Sequence, residues 1–321
     1  MALLCLLTGA FLTGWWAFAA GTPVPARVAT VTHGVLALGL IVLIPWKSVV
    51  VRRAATAFWA SWGLLGLIVV CLVAGLVEVF AGYGLLGGIS PIQVHVGAGL
   101  VAVPLFAAHL VRHRNQGPRR VDLSRRHLIR TGAFTVGAAA TYGIVEGAAQ
   151  LLSEPAASRL PTGSHQLAAS AIPGTNWLFD PVPTIDPARH QVRVAGRAFS
   201  VPDLLRRSQQ VQARLDCTSG WYADATWSAV ALSTLLEGAD LGSAVSLEVV
   251  SVTGYRRLFP LAEASSLWLA TELEGRPLRA GSGAPIRLVA PNRRGFWWVK
   301  WVGEVRLSER PAYAQSPFPL Q

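Results

Sequence analysis

Three kinds of side chain in this sequence could do metal or redox chemistry: one cysteine, a few histidines within apolar stretches, and basic residues close to both. Cys217 is the sole cysteine of the C-terminal half, in Leu215-Asp216-Cys217-Thr218-Ser219-Gly220-Trp221. Nothing in that half can pair with it in a disulfide, and a thiolate is a soft ligand suited to a soft, redox-active metal. The plainer alternative is a buried packing cysteine. Trp221 and Trp227 stand near enough in sequence to wall a cleft and exclude water. His33 and His95 each sit a few residues inside an apolar run. Two imidazoles at similar depth could ligate one haem iron axially. His109 follows His95 by 14 residues, which places it about 21 Å deeper on nearly the same helix face. Its candidate partners for a second haem are His113 and His127. The alternative for each is a neutral histidine bonded to a neighbouring helix.

The elements that must position these groups fall into two halves. The chain has 321 residues, 52% hydrophobic and 14% charged, against roughly 25% charged in soluble domains. Roughly 20 apolar residues cross a bilayer as a helix. Five such segments are expected, near 2–20, 28–46, 56–80, 91–112 and 130–151. The net charge of +11 invites a nucleic-acid partner, but Lys47, Arg52, Arg53 and the arginines between 112 and 130 flank apolar spans. That is the positive-inside pattern, which records topology, so nucleic acid is rejected as a partner. Alternation puts the N-terminus in the cytoplasm and, after five spans, the C-terminal domain outside. Cys5 and Cys71 fall inside spans and read as packing residues. Gly34, Gly39, Gly97 and Gly99 would let helices or a macrocycle approach, and Gly143 with Gly147 reads as helix packing. Glu146 is expected at the outer interface.

The resulting division is a four-span membrane domain over 1–115, a basic cytoplasmic loop and fifth span over 116–152, a Pro/Ser/Ala/Gly-rich tether over 153–183, and an outer domain over 184–321. In the outer domain Gln191–Gly196 alternates like a strand, and Val201-Pro202-Asp203 opens like a helix. Val245–Val252 and Ile286–Val289 are strand-like. The fold class is therefore a membrane α-helical bundle followed by an outer α+β domain with a mixed sheet.

The Cys217 segment, with Trp227-Ser228-Ala229-Val230-Ala231-Leu232 after it, resembles the molybdenum-ligating segment of the sulfite oxidase family. Gly283-Ala284-Pro285-Ile286-Arg287-Leu288-Val289-Ala290-Pro291 and Gly295-Phe296-Trp297-Trp298-Val299-Lys300-Trp301-Val302 resemble a second family segment. The resemblance covers about 125 residues, from about 186 to 310. It implies the family's molybdopterin-binding type of fold, a molybdenum–molybdopterin cofactor with Cys217 as metal ligand, and oxygen-atom transfer. It implies Lys300 near the pterin, and Arg293 and Arg294 at the cofactor phosphate or the substrate mouth. Tyr255 matches a turn that approaches the active site. Asn176 is the nearest candidate for an Arg-Asn-His run that many relatives carry upstream. Cys217, Tyr255 and Arg294 are thus the expected catalytic residues; Asn176, Arg293 and Lys300 join Cys217 as cofactor ligands, and His33 and His95 are the haem pair. The arginines also read as surface charge and Tyr255 as structural.

Relatives include bacterial periplasmic methionine sulfoxide reductases, which work with a separate haem-containing membrane subunit. Here both functions would share one chain in a bacterial plasma membrane. The His95/His109 spacing resembles membrane b-type cytochromes and implies haem b. Ser124-Arg125-Arg126-His127-Leu128 before the weakly apolar run from Thr131 resembles a twin-arginine export signal, which suits a domain exported already folded around its cofactor. The alternative is simple positive-inside charge. The implied partners are the quinone pool or another membrane or periplasmic electron carrier, the twin-arginine translocase, and a sulfoxide or sulfur-oxyanion substrate. The rival class is a membrane-anchored binding module that keeps the fold without turnover.

Overall fold

Apolar runs with few charges form long helices, and alternating runs rich in Val, Leu and Trp form strands. The computed structural model of the protein describes residues 2–53, 59–84, 89–112, 125–174 and 181–318. They form two units: Met1–Phe18 with Val24–Gln166, and Ala19–Pro23 with Leu167–Gln321.

The first unit holds α1 (Ala2–Ala19), α2 (Pro23–Arg53), α3 (Trp59–Ala81), α4 (Pro91–Arg112), α5 (Arg125–Leu152), a short α6 (Glu154–Ala157) and a two-residue strand, β1 (His165–Gln166). Many large apolar side chains on these helices point outward, among them Leu12, Val69, Val73, Leu100, Val101 and Val111. Three of the five expected spans reach the length and apolarity of a membrane crossing: Pro23–Leu43, Trp62–Ala81 and Pro91–Arg112. The first helix gives a shorter apolar run, Leu4–Ala19. The expected fifth span is α5, a 28-residue helix diluted by Thr, Gly and Ala. Gly34 and Gly39 do act as packing sites: a Cβ on Gly34 would meet the Tyr142 ring at 2.5 Å, and one on Gly39 would meet Phe134 and Ala138 at 3.4 Å. The expected packing at Gly143 and Gly147 is not seen. Among the described residues nothing lies within 4 Å of a Cβ at either, so no helix uses that stripe. Glu146 pairs instead with Arg159.

The expected tether is more structured than its composition suggests. Ser153 caps α6, with Pro155 in its first turn, and Ser164, His165 and Ile172 are buried. Asn176 lies outside the described residues, as do Ser124 and the side chains of Arg125 and Arg126.

The second unit is built on two sheets. In one, β4 (Gln209–Cys217), β5 (Trp221–Ala231), β8 (Trp268–Leu273) and β10 (Arg287–Val289) run antiparallel in that order, with β9 (Arg276–Pro277) paired to β8. In the other the order is β3 (Arg197–Ser200), β2 (Gln191–Val194), β11 (Val302–Ser308), β6 (Ser246–Ser251) and β7 (Arg256–Pro260). β11 is parallel to β2 and antiparallel to β6, so this sheet is mixed, as expected. The helix expected at Val201 is α7 (Val201–Arg207). Its Ser200 cap and Asp203 bond each other's backbone N–H reciprocally, which satisfies two donors of the first turn. A second short helix, α8 (Leu232–Leu236), follows β5. Val192, Val194, Leu247, Val249, Phe259 and Val305 fill the core of the mixed sheet; Leu215, Trp227, Leu269 and Leu288 fill that of the antiparallel one.

Candidate functional site

Cys217 is the last residue of β4, where the chain turns back into β5 with Cys217 opposite Trp221. Gly220 N–H donates to the Cys217 carbonyl at 3.2 Å and closes the turn. The sulfur is half-buried, with Ser219 Oγ 3.0 Å away. Its far side is walled by backbone: a Cβ on Gly295 would stand 2.9 Å from Cys217 Cα and 3.3 Å from Sγ. Only glycine allows that approach.

Two cations, Arg287 buried and Lys300 part-buried, lie within electrostatic reach of the thiol. Arg287 opens β10 and is almost wholly buried. Its guanidinium lies 5.1 Å and 5.7 Å from the Trp227 and Trp298 ring centroids, and it donates to the Ser282 carbonyl at 3.0 Å. Burial pulls it down to about 10, while the neighbouring Cys217 works in the opposite sense. Lys300 Nζ donates to the Gly281 carbonyl at 2.6 Å. Burial, and then repulsion from Arg287, pull its ammonium down to about 7, against an upward pull from Cys217. Gly283, at φ 104°, sits between the two: a Cβ there would meet Arg287 Cβ at 3.0 Å and Lys300 Cβ at 3.1 Å. Trp301 is left-handed at φ 51°, strain held in place by its Nε1 bond to the Ala280 carbonyl at 2.8 Å.

Three buried donors around this cluster have no hydrogen-bond partner among the described residues: Arg287 Nε, Ser282 Oγ and Trp221 Nε1. Such vacancies cost free energy unless a ligand fills them. A thiol, a buried and a part-buried cation, and unused donors fit an anionic metal–pterin group. Cys217, Arg287 and Lys300 would hold it.

The other expected residues take different places. Arg294 is buried and joined to Asp216, beside Cys217, by an ion pair of 3.4 Å and a parallel bridge. Arg293 is held by both oxygens of Glu263, at 2.5 and 2.8 Å, with its guanidinium over the Trp297 ring. The Tyr255 hydroxyl donates to the Phe296 carbonyl at 2.6 Å. Trp221 and Trp227 are both fully buried, with the Trp227 ring against the Arg287 guanidinium. Arg287 was not singled out in the sequence. Its one signal is its place in Ala284-Pro285-Ile286-Arg287-Leu288, where a cation interrupts an otherwise apolar strand.

In the helical unit, His33 and His95 do come together, with ring centroids 5.6 Å apart. Each engages a backbone carbonyl through Nδ1: His33 that of Ala10 at 2.7 Å, His95 that of Cys71 at 2.8 Å. Metal-bound imidazoles characteristically donate their second ring nitrogen in this way. Gly14 and Gly75 leave the rings room, since a Cβ on either would lie 3.0 Å or 3.3 Å from them. His109 lies on α4, while His113 and the His127 side chain fall outside the described residues.

Residues 179–316 match the family model of the oxidoreductase molybdopterin binding domain. Human mitochondrial sulfite oxidase is 27% identical over 173 residues, covering 42% of this chain and 32% of that protein. The catalytic subunit MsrP of the protein-methionine-sulfoxide reductase of Xanthomonas axonopodis pv. citri is 28% identical over 133 residues, covering 35% of this chain and 41% of that one. The chain thus spans about a third of the length of the sulfite oxidases it matches. The sulfane dehydrogenase SoxCD of Paracoccus pantotrophus aligns over 40% of each chain, at 24% identity and a TM-score of 0.38.

Gly295→Ala should force the 295–297 loop off Cys217. Overpacking of this kind destabilises by about 1–3 kcal/mol, which thermal unfolding would register, and the variant should retain less metal. Lys300 gives a pH signature. Its folded pKa, about 7, lies below its ordinary 10.5. Between these values the unfolded chain binds a proton that the folded, cofactor-free chain does not, so stability falls as the pH drops through that window. Lys300→Met should therefore unfold at a higher temperature than wild type near pH 7, with the gap closing toward pH 10.5. A gap independent of pH would contradict this.

Proposed function

We propose that the second unit binds molybdenum–molybdopterin through the Cys217 thiolate and acts as an oxidoreductase on a sulfoxide or sulfur oxyanion. The observation that carries this is the buried Arg287 guanidinium and the part-buried Lys300 ammonium, set beside the one thiol of the unit. When bound, the cofactor supplies two-electron oxygen-atom transfer. The chain's own residues hold and shape the site. Cys217 gives the metal a soft ligand, and Ser219 Oγ beside Sγ supplies a hydrogen bond to a thiolate. Arg287 and Lys300 balance negative charge, and Gly295 closes one side against water. Tyr255 and Arg294 act on this site through the groups they bind. Arg293, held by Glu263 through Nη2, would stand at the cofactor phosphate or the substrate mouth.

The same reading puts the chain in a bacterial plasma membrane through its apolar helices, with the N-terminus cytoplasmic and the second unit extracytoplasmic. Outward Val and Leu side chains and three spans of sufficient length support insertion. Haem b held by His33 and His95 would pass electrons from the quinone pool or another membrane carrier. The convergence of the two rings, each anchored through Nδ1, supports this pair. The twin-arginine run supports export of the folded second unit.

A metal, pterin and haem inventory of detergent-purified chain tests the proposal. The expected result is about one molybdenum per chain, from the single thiolate ligand, with no turnover in Cys217→Ala and no haem absorption in His33→Ala after dithionite reduction. Full activity of metal-free protein would refute the molybdenum site; a reduced spectrum without haem bands would leave the helices an anchor. Export is read separately. Arg125→Lys with Arg126→Lys should keep a C-terminal reporter in the cytoplasm, and a reporter that still crosses would make those arginines topology charges only.

A further inference from the structure

Among the described residues no carboxylate pairs with Arg257, which sits fully buried within β7. Its charge is met by ring faces instead: the centroids of Phe296, Tyr255 and Trp297 lie 5.0, 5.4 and 5.4 Å away. Aromatic faces attract a desolvated guanidinium by their quadrupoles. Nη1 donates to the Ser316 carbonyl at 2.7 Å, and Nε donates to the Tyr255 hydroxyl oxygen at 2.8 Å. That hydroxyl donates onward to the Phe296 carbonyl at 2.6 Å. Phe296 directly follows Gly295, the residue packed against Cys217.

An apolar side chain of the same volume would fill this space without the cost of burying a charge. What the guanidinium adds is direction. Its rigid fork makes bonds at fixed angles to separate acceptors while its plane lies against rings, and a lysine can do neither. The bonds run to two places: the C-terminal stretch at Ser316, and, through Tyr255, the loop over the thiol.

We propose that Arg257 and Tyr255 form a clamp that fixes residues 295–297 against Cys217, and that Arg257 is thereby a positioning residue for the thiolate. The second half of this rests on the reading of Cys217 as the metal ligand. Tyr255, expected from the sequence beside the reacting atoms, becomes the link of the clamp.

The test uses the full-length chain in two forms. In chain produced without molybdate, the rate of Cys217 alkylation by iodoacetamide is followed by peptide mass spectrometry, which separates it from Cys5 and Cys71. In chain produced with molybdate, the molybdenum(V) electron paramagnetic resonance signal is recorded. Tyr255→Phe keeps the ring and its volume and removes only the link. It should speed alkylation about fivefold, as expected for the loss of one buried hydrogen bond, and shift the signal at unchanged molybdenum content. Arg257→Gln should do the same, and Arg257→Lys should not restore wild-type values. Where Arg257→Gln does not fold, Tyr255→Phe carries the test. An alkylation rate in Tyr255→Phe equal to that of wild type overturns the clamp. Faster alkylation with an unchanged signal overturns the positioning role. Absence of molybdenum from wild-type chain refutes the ligand reading, and the alkylation rate alone then decides the clamp.

Discussion

Positive charge withdrawn from water is the constraint around which the second unit is arranged. Arg287 is buried among tryptophans with no carboxylate in ion-pair distance among the described residues. Lys300, part-buried, lies close enough to be depressed by it. Removing such groups from water is expensive, and backbone carbonyls at Gly281 and Ser282 offset part of that expense. The glycine at 283, the left-handed Trp301 and the turn at 280–282 all serve to hold the two cations close together. Each is a local departure from regular structure.

The helical unit obeys a related rule with opposite materials. Its helices hide few polar groups, and those they do hide are tied to backbone. Glu78 accepts from the Ile92 N–H at 3.2 Å at the start of α4, next to the Ser90 and Gln93 cap. His33 and His95 each spend one ring nitrogen on a carbonyl of another helix. In an apolar surrounding such bonds fix tautomer and ring direction together.

Much of this was legible in the sequence where the signal is local. The position of Cys217 at a strand end follows from an alternating run that stops at Gly220-Trp221, and the capped start of α7 follows from Ser200-Val201-Pro202-Asp203. Lys300 stands out as a cation between Val299 and Trp301. What sequence did not yield depends on partners far along the chain. Arg293 reads as a free cation until Glu263, thirty residues earlier, is placed beside it. Trp227 meets the Arg287 guanidinium, sixty residues later in the chain. Arg287 hides in a strand, where its charge looks like the polar half of an alternation. The stripe of Gly143 and Gly147 carries the spacing of a helix contact, but spacing does not say whether another helix lies there.

The parallel pairing of β2 with β11 joins the first and last strands of the mixed sheet. Order of synthesis therefore matters. When the ribosome has finished Cys217, the thiol exists, but Gly295, Lys300 and the strand that locks the sheet do not. Contacts this distant in sequence close late and slowly. A nascent or truncated chain ending before Gly295 would present Cys217 at the turn of the β4–β5 hairpin without the loop that packs on it. The surroundings of the thiol are complete only once the chain has been made through β11.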